Sequence, residues 1–184
     1  MNLTEFDNKA AKYGLKVRLV EEKDAKKILE LRTNTSLSLH LHATDSSIDK
    51  QIQYIKDYKI KEQSGVEFYF AFMVTDSFDP IGFYRVHSID YKNKTFCIGS
   101  WIFERTSLES IPILADILSK EFGFEQLNLD TCFFDVRRDN KKVMKYHKLF
   151  SPIFINEDLE QNNYFYLQKS DFLHNKEILL KNLI

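Results

Sequence analysis

Glycine is scarce in this chain of 184 residues: 5 are present, so any glycine-rich phosphate loop must be built from very few of them. Cysteine is scarcer. Cys97 and Cys132 lie in separate strand-like runs with no C-x-x-C spacing, which excludes a disulfide-built mini-protein and fits free core thiols in a reducing compartment. No apolar run approaches the roughly 20 residues a membrane helix needs, and no membrane partner is expected. Residues 1–16 are charged and amphipathic rather than signal-like, so the expected location is the cytoplasm. A surplus of one charge is also missing, since 26 Lys+Arg face 27 Asp+Glu. A protein gripping nucleic acid through its phosphates carries a basic surplus, so nucleic acid is not an expected partner. Aromatic residues, by contrast, are abundant: 16 Phe and 9 Tyr point to a core-rich, strand-rich globular domain.

The chain reads as one α/β domain over 1–184, with a helical extension at 1–16 and a charged, helical tail at 170–184. A strand at Val17–Val20 is followed by a helix capped by Asp24 and by a second helix near Ser46, whose Ser46-x-x-Asp49 spacing is a capping-box variant. Between them Leu37, Leu39 and Leu41 alternate with Ser38, His40 and His42, the pattern of an extended stretch. Three strands then meander through Glu67–Val74, Ile81–Ile89 and Thr95–Phe103. Pro112 belongs in the first turn of the next helix, and Gly123 is expected to close it. The apolar run Gln126–Val136 reads as a strand parallel to its predecessor, since a helix joins the two. Asp139 is expected to cap a helix reaching Phe150, and a hairpin follows at 152–155 and 163–169.

This order of elements, with two local runs, resembles the GNAT acyltransferase superfamily. The run from Phe134 to Phe150 resembles the family's fifth strand and following helix, with Asn140 opening the helix and His147 seven positions on. Ile98-Gly99-Ser100-Trp101-Ile102, and Leu31-Arg32-Thr33-Asn34 with Leu37-Ser38, resemble the branch that N-acylates nucleotide-linked amino sugars for surface polysaccharides such as O-antigen. The resemblance spans about Val17 to Lys169. It implies a mixed, twisted sheet of about six to seven strands with helices on both faces, and acyl-CoA (acetyl-CoA or a short hydroxyacyl-CoA) as co-substrate. In one respect the chain departs: where the family has a glycine-containing pyrophosphate loop, it has Arg105-Thr106-Ser107-Leu108-Glu109-Ser110. Amides at a helix N-terminus and the hydroxyls of Ser107 and Ser110 stand in that place.

What the resemblance implies about single residues is weighed beside their plainer readings. Asn140 is a pantetheine contact or simply a helix cap. His147 stands at the position of the family's general acid, with Tyr146 as the alternative; an imidazole can protonate a leaving thiolate near neutral pH, and packing at the edge of a buried face is the plain reading. Trp101, Ile102 and Phe103 lie where the fourth strand splays from the fifth and exposes backbone to the pantetheine, while their side chains pack. Lys148 belongs to a basic cluster with Arg137, Arg138, Lys141, Lys142 and Lys145 that attracts CoA phosphates or is a solvated face. Glu67, opening an aromatic strand, is a base candidate or an exposed strand end. Arg32, Asn34, His40, His42, Tyr84 and Arg85 are candidates for gripping a nucleotide diphosphate or sugar hydroxyls. His40, His42 and Asp45 lack a further ligand, so no metal is expected. Exposed Phe and Tyr in the hairpins suit a homodimer. The acceptor readings are a nucleotide-linked amino sugar, or a protein N-terminus or ribosomal protein. A non-catalytic CoA-binding module is the reading from another class.

Overall fold

The computed structural model describes residues 3–40, 44–105 and 110–183. They run in the order α1 (Leu3–Ala11), β1 (Leu15–Leu19), α2 (Ala25–Thr33), α3 (Ile48–Gln63), β2 (Phe68–Val74), β3 (Gly82–Asp90), β4 (Thr95–Phe103), α4 (Ser110–Glu121), β5 (Thr131–Arg137), α5 (Lys141–Lys148), β6 (Ile153–Glu157), β7 (Asn162–Gln168) and α6 (Lys169–Leu183). Among the described residues seven strands form one sheet in the order β1-β2-β3-β4-β5-β7-β6. Neighbours are antiparallel except β4 and β5, where α4 carries the chain back and the two strands run parallel.

The aromatic alternation of β2 divides the core. Phe68, Phe70 and Phe72 face the larger cluster, where Phe6 of α1 and Phe122 meet their rings at centroid distances of 4.8 to 6.4 Å. Tyr69 and Ala71 turn to the other face, against Ile28 and Leu31 of α2 and Ile55 and Tyr58 of α3. A strand covered on both faces is apolar throughout, as β2 is.

Several local expectations are corrected. Residues 35–40 form turns instead of an extended stretch, because Asn34 Oδ1 accepts from Ser36 N and Oγ while its carbonyl accepts from Leu37 and Ser38. Ser47, rather than Ser46, caps α3 by accepting from Lys50 N. Asn140, rather than Asp139, caps α5 by accepting from Val143 N. Gly123 does not end its helix, which continues as a π-helical turn over Phe122–Gln126. A Cβ at Gly123 would lie 2.5 Å from the Phe96 ring, so glycine lets this turn lie against β4.

The site is positioned by one irregularity. β4 and β5 pair only through Thr95–Thr131, Phe96–Cys132 and Cys97–Phe133. Beyond that point β4 bulges: Gly99 opposes Arg85, but Ile102 opposes Phe83, and Ser100 between them has φ 50°. A bulge bends its strand and interrupts pairing. The two strands therefore diverge and leave a cleft between them. Among the described residues no helix is long and apolar enough to cross a membrane, and Cys97 and Cys132 are free thiols.

Replacing Gly123 by alanine should cost about 1–3 kcal/mol through overpacking against Phe96. A urea unfolding midpoint equal to that of the parent chain would contradict this account of the π-helical turn.

Candidate active site

A cleft of about 840 Å³ occupies the gap between the diverging strands. Gly99, Ser100, Trp101 and Phe103 of β4 form one wall, and Phe134, Asp135, Val136 and Arg137 of β5 form the other. Ser110 and Pro112 of α4 border it, as do Asn140, Lys142, Val143, Tyr146 and His147 around α5. Trp101 is fixed in the wall by donating from Nε1 to the Pro112 carbonyl at 3.1 Å. Its ring rests against Tyr84, Tyr146 and His147.

Behind this wall lies a buried polar network. Asp116 and Lys120, one turn apart on α4, are both 0% exposed. Lys120 Nζ donates to Asp116 Oδ2 at 2.6 Å, and the hydroxyls of Tyr84 and Tyr146 donate to the same carboxylate, each at 2.5 Å. Lys120 Nζ also lies 3.2 Å from His147 Nδ1. The rings of Phe150, Tyr146 and Phe134 surround the ammonium, 4.8, 5.6 and 5.7 Å from it. An ammonium has no lone pair to accept with, so Nδ1 must be the acceptor and the proton of the neutral ring resides on Nε2.

Electrostatics follow from this geometry. Burial first, and then the neighbouring Lys120 cation, push His147 down to about 3, so the ring is neutral at physiological pH. Burial works against the charge of Asp116, yet the Lys120 cation and the hydroxyl of Tyr146 hold it below the ordinary carboxylate range. Burial and the Asp116 charge push the hydroxyls of Tyr84 and Tyr146 well up. His87 also lines the cleft, and burial followed by Arg85 lowers it to about 4.

The structure brings Trp101, Phe103, Ser110, Asn140, Tyr146, His147, Arg32, His40, Tyr84 and Arg85 to this cleft. Arg32 Nε donates to Thr44 Oγ1 at 2.6 Å, and His40 Nδ1 lies 3.2 Å from Asp139 Oδ1. Asn140 both caps α5 and borders the cleft.

Other expectations are corrected. His147 does not titrate near neutrality, because it is buried beside a cation. Tyr84 is buried and its hydroxyl proton is committed to Asp116, so it does not donate to a sugar. Glu67 is not a lining residue: its buried carboxylate sits between Arg85 Nη1, a lining group, at 3.3 Å and Lys61 Nζ at 3.4 Å. Asn34 is exposed and closes its own turn. Arg105 is exposed away from the lining, whereas the Ile102 side chain packs in the smaller core, in agreement with the packing expected of it. Lys148 lies on the opposite flank of α5, beside Lys141, Met144 and Phe154. His42 and Ser107 lie outside the described residues. No cluster of three or more potential metal ligands occurs among the described residues.

Sequence reading missed Asp116, Lys120 and His87. The signal for the first two was present: opposite charges four apart in a mostly apolar helix, a pair that a buried face admits only when it is mutually satisfied.

Residues 15–148 match the model of the acetyltransferase (GNAT) domain family. Among solved structures, apo FdhC, a nucleotide-linked sugar GNAT, is 32% identical over 93% of this chain and 96% of that one, with a TM-score of 0.80. The spermidine N-acetyltransferase from Vibrio cholerae in complex with CoA and spermine is 16% identical over 88% of this chain and 99% of that one, with a TM-score of 0.74. A dodecameric structure of spermidine N-acetyltransferase from the same organism, in an intermediate state, is 17% identical over 88% and 97%, with a TM-score of 0.67. At such identities the spermidine enzymes share the fold. No curated protein matches the sequence.

The lowered histidines predict acid sensitivity. Unfolded imidazoles titrate near 6.5, so on acidification the unfolded chain takes up protons that His147 and His87 refuse in the fold. Stability therefore falls from about pH 6.5 towards pH 4, by up to about 1.4 kcal/mol per pH unit for each ring. Asp116 adds its share below that window, as pH falls through its lowered value. His147→Phe should remove about half of the loss between pH 6.5 and 4 in urea titrations. An unchanged slope would mean that the folded ring protonates freely.

Proposed function

The chain belongs to the GNAT acetyltransferase family and is an acyl-CoA-dependent N-acyltransferase; we propose that its acceptor is the amine of a nucleotide-linked amino deoxysugar of the kind used for surface polysaccharides. The sign of the cleft supports this acceptor. Arg32, Arg85, Arg137 and Lys142 line it against Asp135, with Glu67 paired to Arg85 behind the lining. A polyamine entering here would meet like charge. A nucleoside diphosphate would meet guanidinium forks that grip phosphate bidentately. Arg85 adds a buried Nε with no partner among the described residues, a donor in want of an acceptor. The 32% identity to a nucleotide-linked sugar GNAT points the same way.

The walls also fit the acyl donor, which supplies an activated thioester. Beyond Cys97 and Phe133 the facing edges of β4 and β5 have no strand between them, so an extended pantetheine arm can pair there as an added strand. Ser110 and the N-terminal amides of α5 offer donors to its phosphates. The backbone of β4 near Ile102 polarises the acyl carbonyl for attack by a neutral amine. Glu67 is held by Arg85 and Lys61 and does not line the cleft, so it is not assigned as base. Tyr146 has committed its proton to Asp116, whereas His147 Nε2 has no hydrogen-bond partner among the described residues. His147 is therefore assigned as the group that gives a proton to the departing sulfur. The exposed apolar edge strand β6, with Ile153, Phe154 and Ile155, suits a homodimer.

Thiol release from acetyl-CoA, with product masses, tests the acceptor across TDP- and UDP-linked amino sugars, spermidine and N-terminal peptides. Release with an amino sugar alone is expected, and Arg32→Met should raise its KM by about tenfold with little change in kcat. Release only with spermidine or peptides overturns the acceptor, and silence across the panel and with longer acyl-CoAs favours the non-catalytic module.

A further inference from the structure

His147 presents a difficulty that its neighbours resolve. A neutral imidazole that surrenders its only N–H becomes an imidazolate, which a buried site does not stabilise. A second proton stands behind it. Lys120 Nζ lies 3.2 Å from Nδ1, the nitrogen on the far side of the ring from the one that acts, and the ammonium is itself fixed by Asp116 at 2.6 Å. On α4 itself the cation answers Asp116 one turn earlier, but the rings around it do not call for one. Position 120 is enclosed by Phe134 of β5 and by Tyr146 and Phe150 around α5, surroundings in which a leucine or methionine would pack as well.

We propose, resting on the acyl-transfer reading of the cleft, that Lys120 is a positioning residue acting through His147: its ammonium fixes the ring as the Nε2–H tautomer and replaces the proton that Nε2 gives up. The step balances. The Nε2 proton moves to the departing sulfur to give a thiol, while a proton from Lys120 Nζ moves to Nδ1. The imidazole stays neutral throughout, with its tautomer exchanged, and Lys120 becomes an amine. The proton shed by the acylated nitrogen then returns to Nε2, Nδ1 returns its own to Nζ, and the starting state is restored. Asp116 stabilises the ammonium between turnovers, and Tyr84 of β3 and Tyr146 of α5 hold the carboxylate by donating to it. The thiol of Cys132 on β5, pushed well up by burial, stays neutral beside them. On the cleft side, Asp135 and Arg137 are the charged groups nearest along β5. Tyr146 is thus part of the anchor rather than a rival acid.

The test pairs nitrogen NMR of the histidine-labelled full chain with turnover. His147 should be the neutral Nε2–H tautomer from about pH 5 to pH 8, with or without substrates. Because Lys120→Met alone strands a buried carboxylate, the variant is Lys120→Met with Asp116→Asn, its folding checked by thermal melting. In it the tautomers should mix and kcat fall about 100-fold, with KM for the acyl donor within about threefold. Lys120→Arg keeps the charge but holds its proton too tightly to give it up, so it should not rescue kcat. An Nδ1–H tautomer or an imidazolium in the wild type overturns the proposal. So does a folded double variant that turns over like the wild type. A wild type that releases no thiol with any acceptor would instead defeat the acyl-transfer reading, a result distinguishable from either of these.

Discussion

Asp116 and Lys120 lose all contact with water on folding, a penalty of several kcal/mol per ion that their mutual attraction alone does not guarantee to recover. Recovery depends on the neighbours. Two tyrosine hydroxyls complete the carboxylate, three aromatic faces and one imidazole nitrogen complete the ammonium, and these partners come from β3, β5 and the α5 region. The pair thus ties α4 to the cleft wall on both sides of the strand splay. Removing one ion would leave the other buried and unpaired, so the pair acts as a constraint on structure rather than a simple gain in stability.

From that constraint the chemistry of the cleft follows. The bulge at Ser100 opens the space, Trp101 is held in its wall, and His147 is kept neutral with one nitrogen already engaged. The cationic lining is a separate layer, built from α2, β3, β5 and α5 through Arg32, Arg85, Arg137 and Lys142. In the proposed reading, acid chemistry is governed by groups behind the wall and acceptor choice by groups at its surface.

The alternation Phe68, Phe70 and Phe72, the Pro112 helix start and the parallel placement of β5 were legible in the sequence, because each rests on a local pattern that one arrangement satisfies. The start of α5 was legible to within one residue, although Asn140 and not Asp139 caps it. The ionisation of His147 was not, because its neighbour Lys120 is 27 residues away in the chain. Glu67 and Asn34 were misread for a related reason: the partners that occupy them, Arg85 with Lys61 and the 34–36 turn, are set by tertiary and loop geometry rather than by spacing. Charged residues inside an amphipathic pattern are by habit assigned to water, and Asp116 and Lys120 are the exception that carried the most information.

The central claim, that the cleft selects its acceptor by anion recognition, is tested most directly by calorimetric titration of the acyl-CoA-saturated chain with a nucleoside diphosphate and, separately, with spermidine. The account predicts saturable binding of the diphosphate that weakens as salt is raised, and no heat from spermidine. Binding of spermidine, with none of the diphosphate, would contradict it.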